Sequence, residues 1–183
     1  MTEVLTWVFA ILTVLVVIAW YLTYNAARLD RLHVRLSGTL AALDAQLVRR
    51  AEAAVELANS GLLDGATALI LAGAAADSLE VPHEEGEVRE AVESDLTEAL
   101  ELALTPEVVD RLRAGGSIGP EYLDRLSSAC TRVQLARRFH NDAVTDVRRV
   151  RRKWVVRLFH LAGYTPMPVT VEFNDECPEH LGL

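Results

Sequence analysis

From Val4 to Ala27 the chain carries no charged residue, and most of these positions are Val, Leu, Ile, Ala, Phe or Trp. At about 1.5 Å per residue the run makes a helix of roughly 36 Å, longer than a hydrocarbon core of about 30 Å. A membrane span is predicted. Beyond it the apolar positions become periodic: Leu29, Leu32, Leu36, Leu40, Leu43, Leu47, Ala51, Ala54 and Ala58. Their steps of three, four and four residues form an 11-residue repeat, about 3.67 residues per turn, so the stripe runs almost straight along a helix. One helix is therefore expected from the span to about Ala58, with Asn59, Ser60 and Gly61 ending it.

Gly61 to Leu79 is rich in small residues, but Asp64 and Asp77 leave too short an uncharged stretch for a second span, and a buried core helix is expected. Pro82 marks a turn. From Glu84 to Leu104 the spacing of Val88, Val92, Leu96, Ala99 and Ala103 predicts an acidic helix whose charges form a solvated face. Thr105, Pro106 and Glu107 have the chemistry of a helix start, with a capping hydroxyl, and that helix should stop near Gly115 and Gly116. Gly119 and Pro120 open a last helix, in which Leu123, Leu126, Cys130, Val133, Val144, Val147, Trp154 and Leu158 keep helical spacing to about Leu161. Past Gly163 three prolines predict an extended tail.

The expected fold is all-α: an N-terminal transmembrane helix continuous with a long antiparallel bundle of three to four main helices. Residues 1–27 form the anchor, 28–161 the cytoplasmic bundle and 162–183 the tail. If the two long helices lie side by side, Arg148, Arg149, Arg151, Arg152, Lys153, Trp154 and Arg157 come to the membrane surface. Basic residues there gain about 1 kcal/mol each against anionic lipids, and Trp154, Phe159 and Tyr164 suit the interface. The same arrangement predicts a polar cluster between the two helices, from Asp44, Gln46, Arg49 and Arg50 on one and Arg138, Asn141 and Asp142 on the other. A network of this kind specifies register more than it adds stability.

Charge adds a direction. No basic residue precedes the span, whereas Arg28, Arg31 and Arg35 follow it, which puts residue 25 onward in the cytoplasm and the N-terminus outside. A cleaved signal peptide would need a basic start and small residues at its end; here Trp20, Tyr21 and Tyr24 close the run. The net charge of −8 gives no attraction for nucleic acid. Two cysteines, Cys130 and Cys177, make no disulfide framework and fit a reducing compartment. No cofactor loop or nucleophile motif is present. His33, His83, His140, His160 and His180 are dispersed; Cys177 and His180, with Asp175, Glu176 and Glu179, have metal-like spacing in a tail where such spacing is usually incidental. His140 reads as a satisfied polar residue at a helix interface rather than a catalytic base.

Two segments resemble a known family. Asp44-Ala45-Gln46-Leu47-Val48-Arg49-Arg50, with Tyr24-Asn25 just past the span, is similar to the N-terminal signature of the LemA family. Ala136-Arg137-Arg138-Phe139-His140-Asn141-Asp142-Ala143-Val144 resembles its C-terminal signature. The chain departs from the pattern in lacking a proline after the paired arginines, in Asp146-Val147 where a second Tyr-Asn pair stands, and in Phe159-His160-Leu161 where the family has Phe-Gly-Phe. The resemblance is to a divergent member. It implies a membrane-anchored antiparallel bundle with no established enzymatic activity. The expected function is a non-enzymatic scaffold or adaptor on a bacterial inner membrane. Its partners are the bilayer, anionic inner-leaflet lipids and other membrane or cytoplasmic proteins, in a larger complex or with self-association. The alternative is a small ligand-binding or enzymatic bundle built on the polar cluster; the two differ in whether that cluster lines a cavity or is closed by packing.

Overall fold

A computed structural model describes residues 1–82, 86–163 and 165–181. Among them are six α-helices, one 3-10 turn and no strand. Helix α1 runs Thr2–Asn59, α2 Gly65–Glu80, α3 Gly86–Ala103, α4 Pro106–Ala114, α5 Ile118–Arg151 and α6 Trp154–Leu158; the 3-10 turn is Glu179–Leu181. The all-α fold is as the periodicities predict. The expected start of the third helix at Glu84 lies outside the described residues.

α1 is unbroken because nothing in it opposes the helix, Gly38 being a single tolerated glycine. It ends where Gly61 takes a φ of 74°, a left-handed conformation that glycine adopts without a Cβ penalty, while Ser60 bonds back to the Leu57 carbonyl. The first part of α1 is long and apolar enough to cross a membrane, and no residue of that apolar window is buried against protein.

The chain divides into two compact units, Met1–Gly38 with Asp142–Val169, and Thr39–Asn141 with Thr170–Leu183. In the first, Leu29 packs with Val150 and Val156, flanked by Leu32, Leu161 and Ala162. Arg35 pairs with Asp146 at 3.5 Å. The last helix, expected to reach Leu161, stops at Arg151: Lys153 is extended (ψ 132°), and α6 begins after it. Past the break Val155 and Val156 are both buried, and the Arg151 guanidinium donates to the Thr165 and Pro166 carbonyls.

In the second unit the hydrophobic core draws on five helices: Ala51, Ala54 and Leu57 of α1, Leu71 and Ala75 of α2, Leu96 and Leu100 of α3, Val109 and Leu112 of α4, and Leu123, Leu126 and Cys130 of α5. α1 and α5 run antiparallel in it, with Thr39 facing His140 (3.4 Å), Leu47 packed with Val133, and Glu56 bonded to Arg125. Helix α2 is the expected core helix, capped by Asp64, which accepts from the Ala66 and Thr67 amides at 3.2 and 3.1 Å. Thr105 occupies the N-cap of α4, yet its hydroxyl makes no capping bond to the backbone. Gly119 is required by close packing: a Cβ there would lie 2.1 Å from the Leu112 carbonyl oxygen.

The acidic helix α3 departs from expectation on its first half. Arg89 and Glu93 are buried, whereas Val88 is 49% exposed. The tail is extended, as the prolines predict, and it is packed: Phe173, Asp175 and Leu181 are all buried.

Candidate functional site

Two constellations stand out, one in each unit. In the second, Arg50 lies beside the α1 stripe position Ala51 and is buried with it, and on α3 a buried line runs Arg89, Glu93, Leu96, Leu100, Ala103, so charged side chains occupy core positions of both helices. Arg50 is 1% exposed and Glu93 0%. Arg50 Nη2 donates to Glu93 Oε2 at 2.7 Å and to the Glu93 carbonyl at 3.0 Å, and its Nη1 donates to the Thr97 hydroxyl at 3.0 Å. The other Glu93 oxygen accepts from the Ser78 hydroxyl at 2.8 Å and lies 2.9 Å from Arg89 Nε. Arg89 also donates to the Val81 carbonyl at 2.7 Å and lies 3.7 Å from Asp44. Two guanidiniums thus meet two carboxylates, which removes most of the cost of burying any one of them.

The tail closes this network. An extended segment inside a fold must find partners for its backbone groups, and side chains of α3 and α5 supply them. Asn141 pairs with both backbone groups of Val171, at 3.1 and 3.0 Å. Glu90 accepts from the Glu172 amide, Ser94 accepts from the Asn174 amide, and Thr97 donates to the Asn174 carbonyl at 2.7 Å. Gln134 donates to the Asp175 carbonyl. Arg137 grips the Asp175 carboxylate with two bonds, at 2.7 and 2.9 Å, and this partner raises the Arg137 pKa above its ordinary value. The guanidiniums of Arg50 and Arg137 lie over the Phe173 ring, 5.9 and 5.6 Å from its centroid.

The polar cluster expected between α1 and α5 is therefore redistributed. Arg50 and Asp44 join α3, and Asn141 holds the tail. Arg49, Arg138 and Asp142 are exposed. Gln46 lines a small groove of about 240 Å³ with Thr39, Ala42, Arg132, Leu135, Ala136 and Phe139. The cause is register: with Thr39 opposite His140, Asn141 lies more than a turn from Asp44. Arg89, Glu93, Thr97, Arg137, Phe173 and Asp175 join the site without being expected there. The spacing of Arg89 and Glu93 with Leu96 and Leu100 was the available signal; for the tail residues there was none.

In the first unit, the basic run divides by role. Arg148 donates to the Pro168 carbonyl at 2.8 Å, Arg151 holds Thr165 and Pro166, and Arg149 is 3.7 Å from Asp146. Arg152, Lys153 and Arg157 are exposed beside Trp154 (72% exposed), Leu158 and Phe159. An open groove of about 1120 Å³ lies beside Trp154, lined by the polar Arg151, Arg152, Arg157 and His160 and the apolar Leu158 and Met167. Cations next to exposed apolar side chains match the chemistry of a lipid headgroup region. Tyr164, expected at the same interface, lies outside the described residues.

Among the described residues no three His, Cys, Asp or Glu side chains converge as metal ligands. Asp175 is held by Arg137, and Cys177 faces Cys130; His83 is outside the described residues. His140 is buried and its ring lies against the Thr39 hydroxyl. Compared with protein-family models, with curated proteins and with solved structures, the chain has no significant match.

Proposed function

We propose that this chain is a membrane-anchored, non-enzymatic scaffold or adaptor of the LemA type. Residues 4–27 span the membrane, the N-terminus lies outside, and the chain beyond the span lies on the cytoplasmic side. The observation that carries the reading is the closure of the polar network: Arg50 and Glu93 are fully buried and tied down by α3 and the tail. A ligand-binding or catalytic bundle needs such groups to line a cavity, whereas a scaffold needs them to fix one arrangement of helices.

Arg152, Lys153, Trp154 and Arg157 meet anionic headgroups, which adds surface adhesion to the tether. Protein partners are bound through the outer face of α2, where Leu69 and Ile70 are 75% and 58% exposed, more than an isolated fold would favour for neighbouring large apolar residues. A second copy of the chain is one candidate for that face.

Photo-crosslinking in native membranes tests the proposal. A crosslinker at Leu69 or Ile70 should give discrete protein adducts that one at the exposed, polar Glu52 does not. Adducts absent from both sites, or identical at both, would sink the scaffold reading.

A further inference from the structure

Neither the anchor nor the scaffold reading uses the two cysteines, which lie far apart in sequence and together in the fold. Cys130 is on α5, 1% exposed, inside the core of the second unit. Cys177 is half-buried on the tail and packs against that same core. Both are free thiols, and the antiparallel register of tail and α5 places them side by side: Asn141 meets Val171 and Gln134 meets Asp175, so the next step along both segments is Cys130 and Cys177. The tail is fixed on one side of Cys177 by the Arg137 and Gln134 bonds to Asp175, and on the other by buried Leu181 and the Arg113 bond to the His180 carbonyl. The contact is thus built by the fold rather than left to a loose terminus. Cys177 also borders an open groove of about 360 Å³, lined by Glu101, Thr105, Pro106, Glu176 and His180, wide enough to admit a small reagent.

We infer that Cys130 and Cys177 form a thiol–disulfide exchange site, which small neutral or cationic disulfides oxidise to an internal bond locking the tail onto α5. Two exposed carboxylates beside the groove, Glu101 and Glu176, disfavour anionic reagents. The roles follow from the environment. Cys177 is half-buried and lines the open groove, whereas Cys130 is 1% exposed inside the core. Cys177 is the attacking thiolate and Cys130 the resolving thiol. The Cys177 sulfur attacks one sulfur of the reagent, whose S–S bond breaks; the first half leaves as a thiolate and takes a proton from water. Cys130 then attacks the Cys177 sulfur, its proton passing to the second departing thiolate. Two protein thiols are oxidised and the reagent disulfide is reduced to two small thiols.

The full chain, reduced and held in detergent, is exposed to cystamine, quenched in acid and weighed intact. The wild type should lose the mass of two hydrogens, and both thiols should resist alkylation in denaturant. Cys130→Ser should stop at the mixed disulfide on Cys177, and Cys177→Ser should leave Cys130 unreacted over the same exposure. Wild-type protein that keeps both thiols, or that carries cystamine adducts without the internal bond, overturns the inference whatever the variants do.

Discussion

Arg50 sits beside the 11-residue stripe of α1, next to Ala51, and is buried with it, where Glu93 meets it. Removing one partner of a buried pair leaves the other charge unpaired, at a cost of about 3–5 kcal/mol. Arg50→Met should therefore lower the unfolding free energy of the detergent-solubilised chain by about that amount in urea titrations. The double change Arg50→Met with Glu93→Leu should recover much of the loss, and a double variant weaker than both singles would refute the pairing. Asp64 gives a test by pH. Its carboxylate accepts from the Thr67 side chain and the backbone amides of Thr67 and Ala66, which holds its pKa below the ordinary 3.8. A group depressed in the folded state stabilises it above the unfolded value, and that support is lost as pH falls through the folded value. The carboxyl carbon resonance of Asp64 should titrate below 3.8, and a midpoint at or above it would remove the cap from the account.

The elements most legible in the sequence were those whose periodicity came from apolar residues alone. The stripe from Leu29 to Ala58 gave α1 and its buried face; Gly115 and Gly116 gave the end of α4. Arg89 and Glu93 are not legible as core residues from charge, which ordinarily marks a solvated face, although their spacing continues the line of Leu96 and Leu100. The end of α5 is not legible because no glycine or proline marks it. The tail shows no periodicity because side chains of α3 and α5, not a ladder of its own, satisfy its backbone. Phe173 is its apolar anchor. Phe173→Ala should cost about 3 kcal/mol in unfolding free energy and speed amide exchange at Val171 and Asn174; unchanged exchange would mean the tail is held by its polar bonds alone. Gly119→Ala should also destabilise, since its Cβ meets the Leu112 backbone rather than a movable side chain.

For the whole molecule, the account joins one apolar helix, a basic and aromatic patch, and a core closed around charge. Trp154 can report on the patch in the reconstituted chain once Trp7 and Trp20 are changed to Phe. Its emission should shift to shorter wavelength in anionic vesicles relative to zwitterionic ones, and Arg152→Gln, Lys153→Gln and Arg157→Gln together should abolish the difference. Identical spectra in both lipids would separate the patch from the membrane. The claim on which scaffold, lipid contact and a reducing environment for the thiols all depend is the orientation of the span. Reporters fused at the C-terminus measure it directly: the account predicts an active cytoplasmic reporter and an inactive export-dependent phosphatase. An active phosphatase with a silent cytoplasmic reporter would contradict it.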